Sequence, residues 1–264
     1  MLKVSNVSKT FNPGTVYEKV ALTGVDLVLN EGDFVTVIGG NGAGKSTLLN
    51  CVAGVYPVDS GTVFIDNADV TKQPEHVRAR FLGRVFQDPM MGTAASMGLE
   101  ENLALAYRRG QRRTLRWGIS NKERAYYREQ LKTLELGLED RLGTKVGLLS
   151  GGQRQAITLL MATMKKPRLL LLDEHTAALD PKTALKVLLL SDKLIREHQI
   201  TTLMVTHNMK DAIKCGNRLV MMHEGRIILD IGGEEKKGLT VDYLLEKFEK
   251  ASGSELVNDR LLLS

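Results

Sequence analysis

Gly39-Gly40-Asn41-Gly42-Ala43-Gly44-Lys45-Ser46-Thr47 follows directly on the apolar run Phe34-Val35-Thr36-Val37-Ile38. The pattern G-x-x-x-x-G-K-[ST] after a short strand describes a loop whose backbone N–H groups wrap around polyphosphate oxygens. Glycine allows both the sharp turn and the close approach, because no Cβ obstructs either. Lys45 brings a point charge to the outer phosphates, and the Ser46 hydroxyl suits Mg²⁺. A helix starting near Lys45 turns its positive end toward the anion. A chance glycine-rich turn would not carry the strand and the Lys-Ser-Thr run together. The chain reads as binding a nucleoside triphosphate.

Around that loop, 264 residues with 43% hydrophobic and 25% charged content describe an ordinary globular α/β protein. No run approaches the roughly 18 apolar residues of a membrane span. Met1–Val7 alternates like a strand and lacks the apolar centre of a signal peptide. Cys51 and Cys215 are far apart and show no metal-type spacing. These features read as a cytosolic chain. Charge is uneven: between Tyr107 and Lys132 nine basic residues oppose two acidic ones, a surplus larger than the overall +5. The remainder is therefore slightly acidic.

Short alternating runs at Leu2–Val7 and Val20–Leu29, broken by Asn12-Pro13-Gly14 and Asn30-Glu31-Gly32, predict antiparallel strands before the loop. Helical spacing covers Lys45–Val55, and Gly61–Ile65 reads as a strand. From Asp88-Pro89 the character changes, with helix-like Glu100–Arg109 and Lys122–Leu136. Strand and helix alternate again after Gly147: Leu169–Leu172 a buried strand, Pro181–His198 a helix, Thr201–Val205 a strand. Arg218–Met222 and Arg226–Ile231 flank a hairpin turn at Glu224-Gly225, and Val241–Lys250 is amphipathic. The expected architecture over 1–264 is one α/β P-loop NTPase core with an antiparallel β subdomain and an α-helical subdomain inserted over approximately 88–150.

Leu169-Leu170-Leu171-Leu172-Asp173-Glu174 is an apolar strand ending in two carboxylates, and catalytic groups collect at such strand ends in parallel sheets. Side-chain alternation gives adjacent acids different directions. Asp173 would face Mg²⁺, and Glu174 would polarise the attacking water. Leu149-Ser150-Gly151-Gly152-Gln153 precedes a helical stretch over Arg154–Lys165, a second small-residue loop at a helix start. One chain cannot apply both loops to one triphosphate unless they face each other, which suggests two chains lending this loop to each other. A glycine-rich helix cap fits the local sequence equally well.

Taken together, Gly39–Thr47, Gln87, Leu149–Gln153, Leu169–Glu174, Ala178-Leu179-Asp180 and His207 resemble the ATP-binding cassette (ABC) ATPases in order and spacing, over roughly 2–250. The Leu-Ser-Gly-Gly-Gln run is far more family-specific than the phosphate loop. The resemblance implies ATP and Mg²⁺, with Gln87 contacting metal and water at the hinge into the helical insertion. It implies that His207 contacts the γ-phosphate and holds Glu174 and water in line. Asp180 would lie in a loop crossing the dimer interface, where Ser150, Gly151, Gly152 and Gln153 reach the partner's ATP. Adenine would stack on Phe11, with Tyr17 as competitor. His175 replaces the usual proline after the carboxylates, and Ala177 replaces the usual serine. Neither removes a phosphate, metal or base ligand.

What the resemblance implies for function is the ATPase subunit of a bacterial transporter, peripheral on the cytoplasmic face of the membrane. It would pair with a second copy, a separate transmembrane permease and, for import, an extracytoplasmic substrate-binding protein. Asp173–Asp180 is similar to ATPases of importers serving aromatic amino acids. A soluble ABC ATPase of the iron–sulfur cluster assembly type shares one compact cassette and is the competing reading. The basic segment with Tyr107 and Trp117 suits anionic headgroups or a solvated helix face. A nucleic-acid role lacks any accompanying recognition module.

Overall fold

A computed structural model describes residues 1–111 and 118–252. The chain opens with strands β1 (Leu2–Phe11), β2 (Lys19–Leu29) and β3 (Phe34–Ile38), then helix α1 (Lys45–Ala53) and the hairpin β4 (Ser60–Ile65) and β5 (Ala68–Asp69). A short α2 (Glu75–Arg78) and β6 (Leu82–Val85) lead into α3 (Leu99–Tyr107), α4 (Asn121–Lys132) and α5 (Gly151–Thr163). The alternation resumes with β7 (Leu169–Asp173), α6 (Pro181–His198), β8 (Thr202–Val205) and α7 (Met209–Lys214). The β9 (Arg218–His223) and β10 (Arg226–Gly232) hairpin precedes α8 (Gly233–Lys237) and α9 (Val241–Ser252).

Two sheets result. The larger runs β10-β9-β3-β8-β7-β6, parallel throughout except for the antiparallel edge strand β10. The smaller, β2-β1-β4-β5, is antiparallel. Central strands of a covered parallel sheet are buried on both faces and therefore read as unbroken apolar runs. All five residues of β3 and all four of β8 are buried. Side-chain alternation sends neighbours on one strand into different cores. Leu169 and Leu171 pack with α1 and the small sheet, whereas Leu170 and Leu172 pack with α5 and α6. On β9, Val220 and Met222 face the first core, and Leu219 and Met221 meet α7 and α9.

The helices between β6 and β7 have a core of their own, built from Leu99 and Leu103 of α3, Tyr127 and Leu131 of α4, and Ala156 and Leu160 of α5. Of the basic segment, Arg112, Arg113, Arg116 and Trp117 lie outside the described residues. The neighbouring cations are largely committed: Arg108 pairs with Glu123 at 2.8 Å, and Arg124 with Glu100 at 2.7 Å. Arg109 turns inward to the Ala162 and Lys165 carbonyls.

Most expected elements fall within a residue or two of their predicted ends, and α6 spans Pro181–His198 as read. Helix α5 starts three residues before Arg154, because Ser150 caps it and Gly151 already belongs to its first turn. The short β5, β6, α2, α7 and α8 escaped the reading; none is long enough to display a period.

Candidate functional site

The phosphate loop is shaped by two glycines that nothing else replaces. Gly39 has φ +152° with the Met222 carbonyl 2.2 Å from where a Cβ would sit. Gly44, at φ +97°, has the Ala21 carbonyl at 2.5 Å. Gly44 also caps α1, so the N–H groups of that helix open onto the loop. Lys45 is buried, and its ammonium donates to the Gly39 and Gly40 carbonyls at 2.7 and 3.0 Å. Above the loop lies a cleft of about 320 Å³, lined among others by Phe11, Lys19, Asn41, Lys45, Ser46 and Glu174.

Two further pieces of chain support the loop. At the β9–β10 turn, Glu224 and Gly225 both take positive φ, +45° and +73°. The Gly225 N–H donates to the Ala43 carbonyl at 3.1 Å, and its own carbonyl accepts from Thr23 at 2.9 Å. The hairpin tip thus ties the loop to the small sheet. At the far end of α1, buried Arg78 donates to the Cys51 and Val52 carbonyls of the last helical turn.

Strand β7 delivers the two acids, but not by alternation. The strand ends at Asp173, and Glu174 turns out of it with φ +43°, a region uncommon for any residue but glycine. The backbone turn is what separates the two carboxylates. Burial raises the Asp173 pKa, and the Arg84 guanidinium and, more weakly, the nearby Ser46 hydroxyl oppose that rise. The Glu174 N–H donates to the Val205 carbonyl, and its Oε2 lies 3.5 Å from His207 Nδ1. Phosphate loop, Ser46, both acids and His207 therefore converge.

Of the other expected residues, Phe11 reaches the cleft and the rest stand apart. Gln87 is exposed and does not line the cleft; the residue before it is held by Gln155 of α5, whose Nε2 donates to the Phe86 carbonyl at 3.1 Å. Phe11 reaches the cleft with its ring edge-on to Tyr56 at 5.1 Å, whereas Tyr17 is 78% exposed and stays outside. Ser150 forms a capping box with Gln153, its Oγ accepting from the Gln153 N–H at 3.3 Å, and the whole loop lies off the cleft. Asp180 caps α6 by accepting from the Thr183 N–H at 3.1 Å. Gly152 sits so close to α6 that a Cβ would come 2.1 Å from Thr183 Cγ2. Helix α5 and the start of α6 are thereby packed closely side by side.

Arg84, Asn50 and Phe86 escaped the sequence reading. Arg84 lies 3.7 Å from Asp173, donates to Asn50 on α1 at 2.7 Å and stacks on the Phe86 ring at 4.4 Å. The only local signal is an arginine two residues before Phe86 on an otherwise apolar strand.

Residues 22–177 match the family model described as ABC transporter. A tyrosine transport ATP-binding protein of Clostridioides difficile is 45% identical over 260 residues, covering 95% of this chain and 100% of the relative. An energy-coupling factor transporter ATP-binding protein, EcfA2 of Clostridium acetobutylicum, is 31% identical over 94% of this chain and 90% of its own. Among solved structures, a dimeric ATP-binding cassette in a post-hydrolysis state bound to ADP and Pi aligns with TM-score 0.73 at 32% identity, covering 90% of this chain and 100% of that one. The ADP conformation of another cassette from an ABC transporter aligns with TM-score 0.76 at 28% identity, over 94% and 98% of the two chains.

Proposed function

The chain belongs to the ABC transporter family of ATPases, and from that premise we propose that it is the ATP-hydrolysing subunit of an importer, closing as a head-to-tail dimer against a separate permease. One observation carries the reading. Lys45, Ser46 and Glu174 line a single cleft with Asp173 beside Ser46, while the Ser150–Gln153 helix start lines none of it. A site with every phosphate and acid group but no Ser150–Gln153 loop is half a site, and a second copy supplies the other half.

In the assigned roles, Gly39–Thr47 cradle the phosphates and Lys45 offsets their charge. Phe11 stacks under adenine in preference to Tyr17. Glu174 polarises water toward the γ-phosphorus as the bond to ADP breaks, and His207 keeps the carboxylate and the water in line. Ser46 and Asp173 are paired hard oxygen donors beside the loop, a set that suits Mg²⁺. The chemistry a bound Mg²⁺ supplies is neutralisation of charge on the outer phosphates. Gln87 lies outside the cleft, so its assigned contact with metal and water belongs to the closed dimer. Ser150, Gly151, Gly152, Gln153 and Asp180 act on the partner's ATP. ATP binds the closed pair preferentially and so shifts the equilibrium toward closure.

Among the described residues no helix is long and apolar enough to cross a membrane, which fits a peripheral subunit whose permease is a separate chain. The helical unit over approximately 88–150 is the part we assign to receive it. The tyrosine transport relative matches almost end to end, so the cargo class we assign is an aromatic amino acid, delivered by an extracytoplasmic binding protein. The relatives are transporter subunits, which disfavours the iron–sulfur assembly alternative. Reconstitution with a candidate permease tests this: tyrosine uptake should require ATP, and Glu174→Gln should accumulate as an ATP-loaded dimer on gel filtration. Turnover by Glu174→Gln at the unmodified rate would remove Glu174 as the base, and uptake indifferent to aromatic amino acids would remove the cargo.

A further inference from the structure

Two buried or half-buried arginines flank helix α1, and they are satisfied in opposite ways. Arg78 spends itself on backbone: Nε, Nη1 and Nη2 donate to the carbonyls of Gln73, Cys51, Val52 and Thr71. That is a structural guanidinium, saturated and capping a helix end. Arg84 makes one neutral hydrogen bond, to Asn50, and its buried Nε–H has no acceptor. Its charge goes instead to Asp173 at 3.7 Å and to exposed Glu75 at 3.8 Å. The Glu75 contact is solvent-screened and weak, which leaves Asp173 as the main counter-charge. Buried polar groups without a partner are few in native proteins, so the empty Nε–H needs a reason.

Position here is closely held. Asn50 fixes Arg84 to the helix that begins at Lys45, and the Phe86 ring supports the guanidinium face at 4.4 Å. Gln155, itself fully buried, grips the Phe86 carbonyl from α5. Arg84 therefore sits among the phosphate-loop helix, the acid at the end of β7 and, through Phe86, the helix that Ser150 caps.

We propose that Arg84 is a positioning residue, the resident counter-ion of Asp173, holding that carboxylate beside Ser46 and opposing entry of the divalent cation. This rests on the metal reading of Ser46 and Asp173. A fixed positive charge next to a cation site weakens cation binding by simple repulsion. Arg84 thereby sets the divalent-ion concentration at which the nucleotide site fills, and it ties that threshold through Phe86 to α5.

Mn²⁺ serves as the probe, followed by electron paramagnetic resonance on the full chain with a non-hydrolysable ATP analogue. Arg84→Met and Arg84→Gln should lower the half-saturating Mn²⁺ roughly three- to tenfold, while Arg84→Lys stays within about twofold of the parent. Nucleotide affinity in EDTA should not move. An unchanged or raised half-saturating Mn²⁺ in a neutral variant that melts like the parent overturns the inference; Arg84→Gln, which retains an amide for Asn50, decides if Arg84→Met fails to fold. Asp173→Asn separates the two levels. If parental Mn²⁺ binding ignores Asp173→Asn, the metal reading falls and this inference with it. If it responds to Asp173→Asn but not to Arg84, only the inference falls.

Discussion

His175 occupies the position after the two carboxylates where the family usually has proline, and it is fully enclosed. Its Nε2 lies 2.9 Å from Ser191 Oγ, and that hydroxyl already donates to the Val187 carbonyl at 2.8 Å. A hydroxyl has one proton to give, so the ring must donate through Nε2. The imidazole pins the turn that follows Glu174 onto α6. Burial pushes its pKa down to about 4 from an ordinary 6.5. The unfolded chain thus binds the proton more readily, and the stability His175 contributes is complete above pH 6.5 and lost as pH falls toward 4. The loss between pH 7 and pH 5 should be about 2 kcal/mol. Thermal melts of His175→Gln should lack that component; an equally steep decline in the variant would assign the acid sensitivity elsewhere. The histidine is visible in the sequence as a departure, but its hydroxyl partner is sixteen positions away and reached only through folding.

Among the elements, the β9–β10 hairpin shows a local signal acquiring a distant purpose. Glu224-Gly225 announces a tight turn, and both residues take the positive φ that such turns demand. Nothing local says that the tip hydrogen-bonds to Ala43 and Thr23. A Cβ at Gly225 would stand 2.7 Å from the Ala21 carbonyl at a φ that alanine adopts only under strain. Gly225→Ala should therefore cost about 1–3 kcal/mol and, by loosening the loop behind Ala43, raise the KM for ATP more than it lowers kcat. A variant that loses stability while keeping the parental KM would show the tip to be merely structural. The two acids make the opposite point. Alternation along a strand predicts their divergence, yet it is the left-handed backbone at Glu174, just past the strand, that produces it.

At the scale of the whole molecule, a cleft and a helix start that lie apart on one chain make a prediction about pairs. Lys45→Ala disables the cleft, and Gly151→Asp places a negative charge where the partner's phosphates would sit. Each variant alone should be inactive. Mixed in equal amounts they form hetero-pairs with one intact composite site, and should recover about a quarter of parental ATPase activity. No recovery, with hetero-pairs demonstrated by crosslinking, would remove the in-trans arrangement.

The amino-acid sequence by itself determined the phosphate loop, the strand ends that carry acids, the capped helix at Ser150 and the long helix at Pro181. Each depends on neighbouring residues: glycine's access to positive φ, side-chain oxygens that cap, and the periods of helix and strand. Tertiary structure alone decided that Arg84 meets Asp173, that His175 meets Ser191, that Gly225 braces Ala43 and that Gln155 holds Phe86. Those partners are far apart along the chain. They meet because a parallel sheet buried on both faces packs separate strands and helices against one another, bringing together side chains that are distant in sequence.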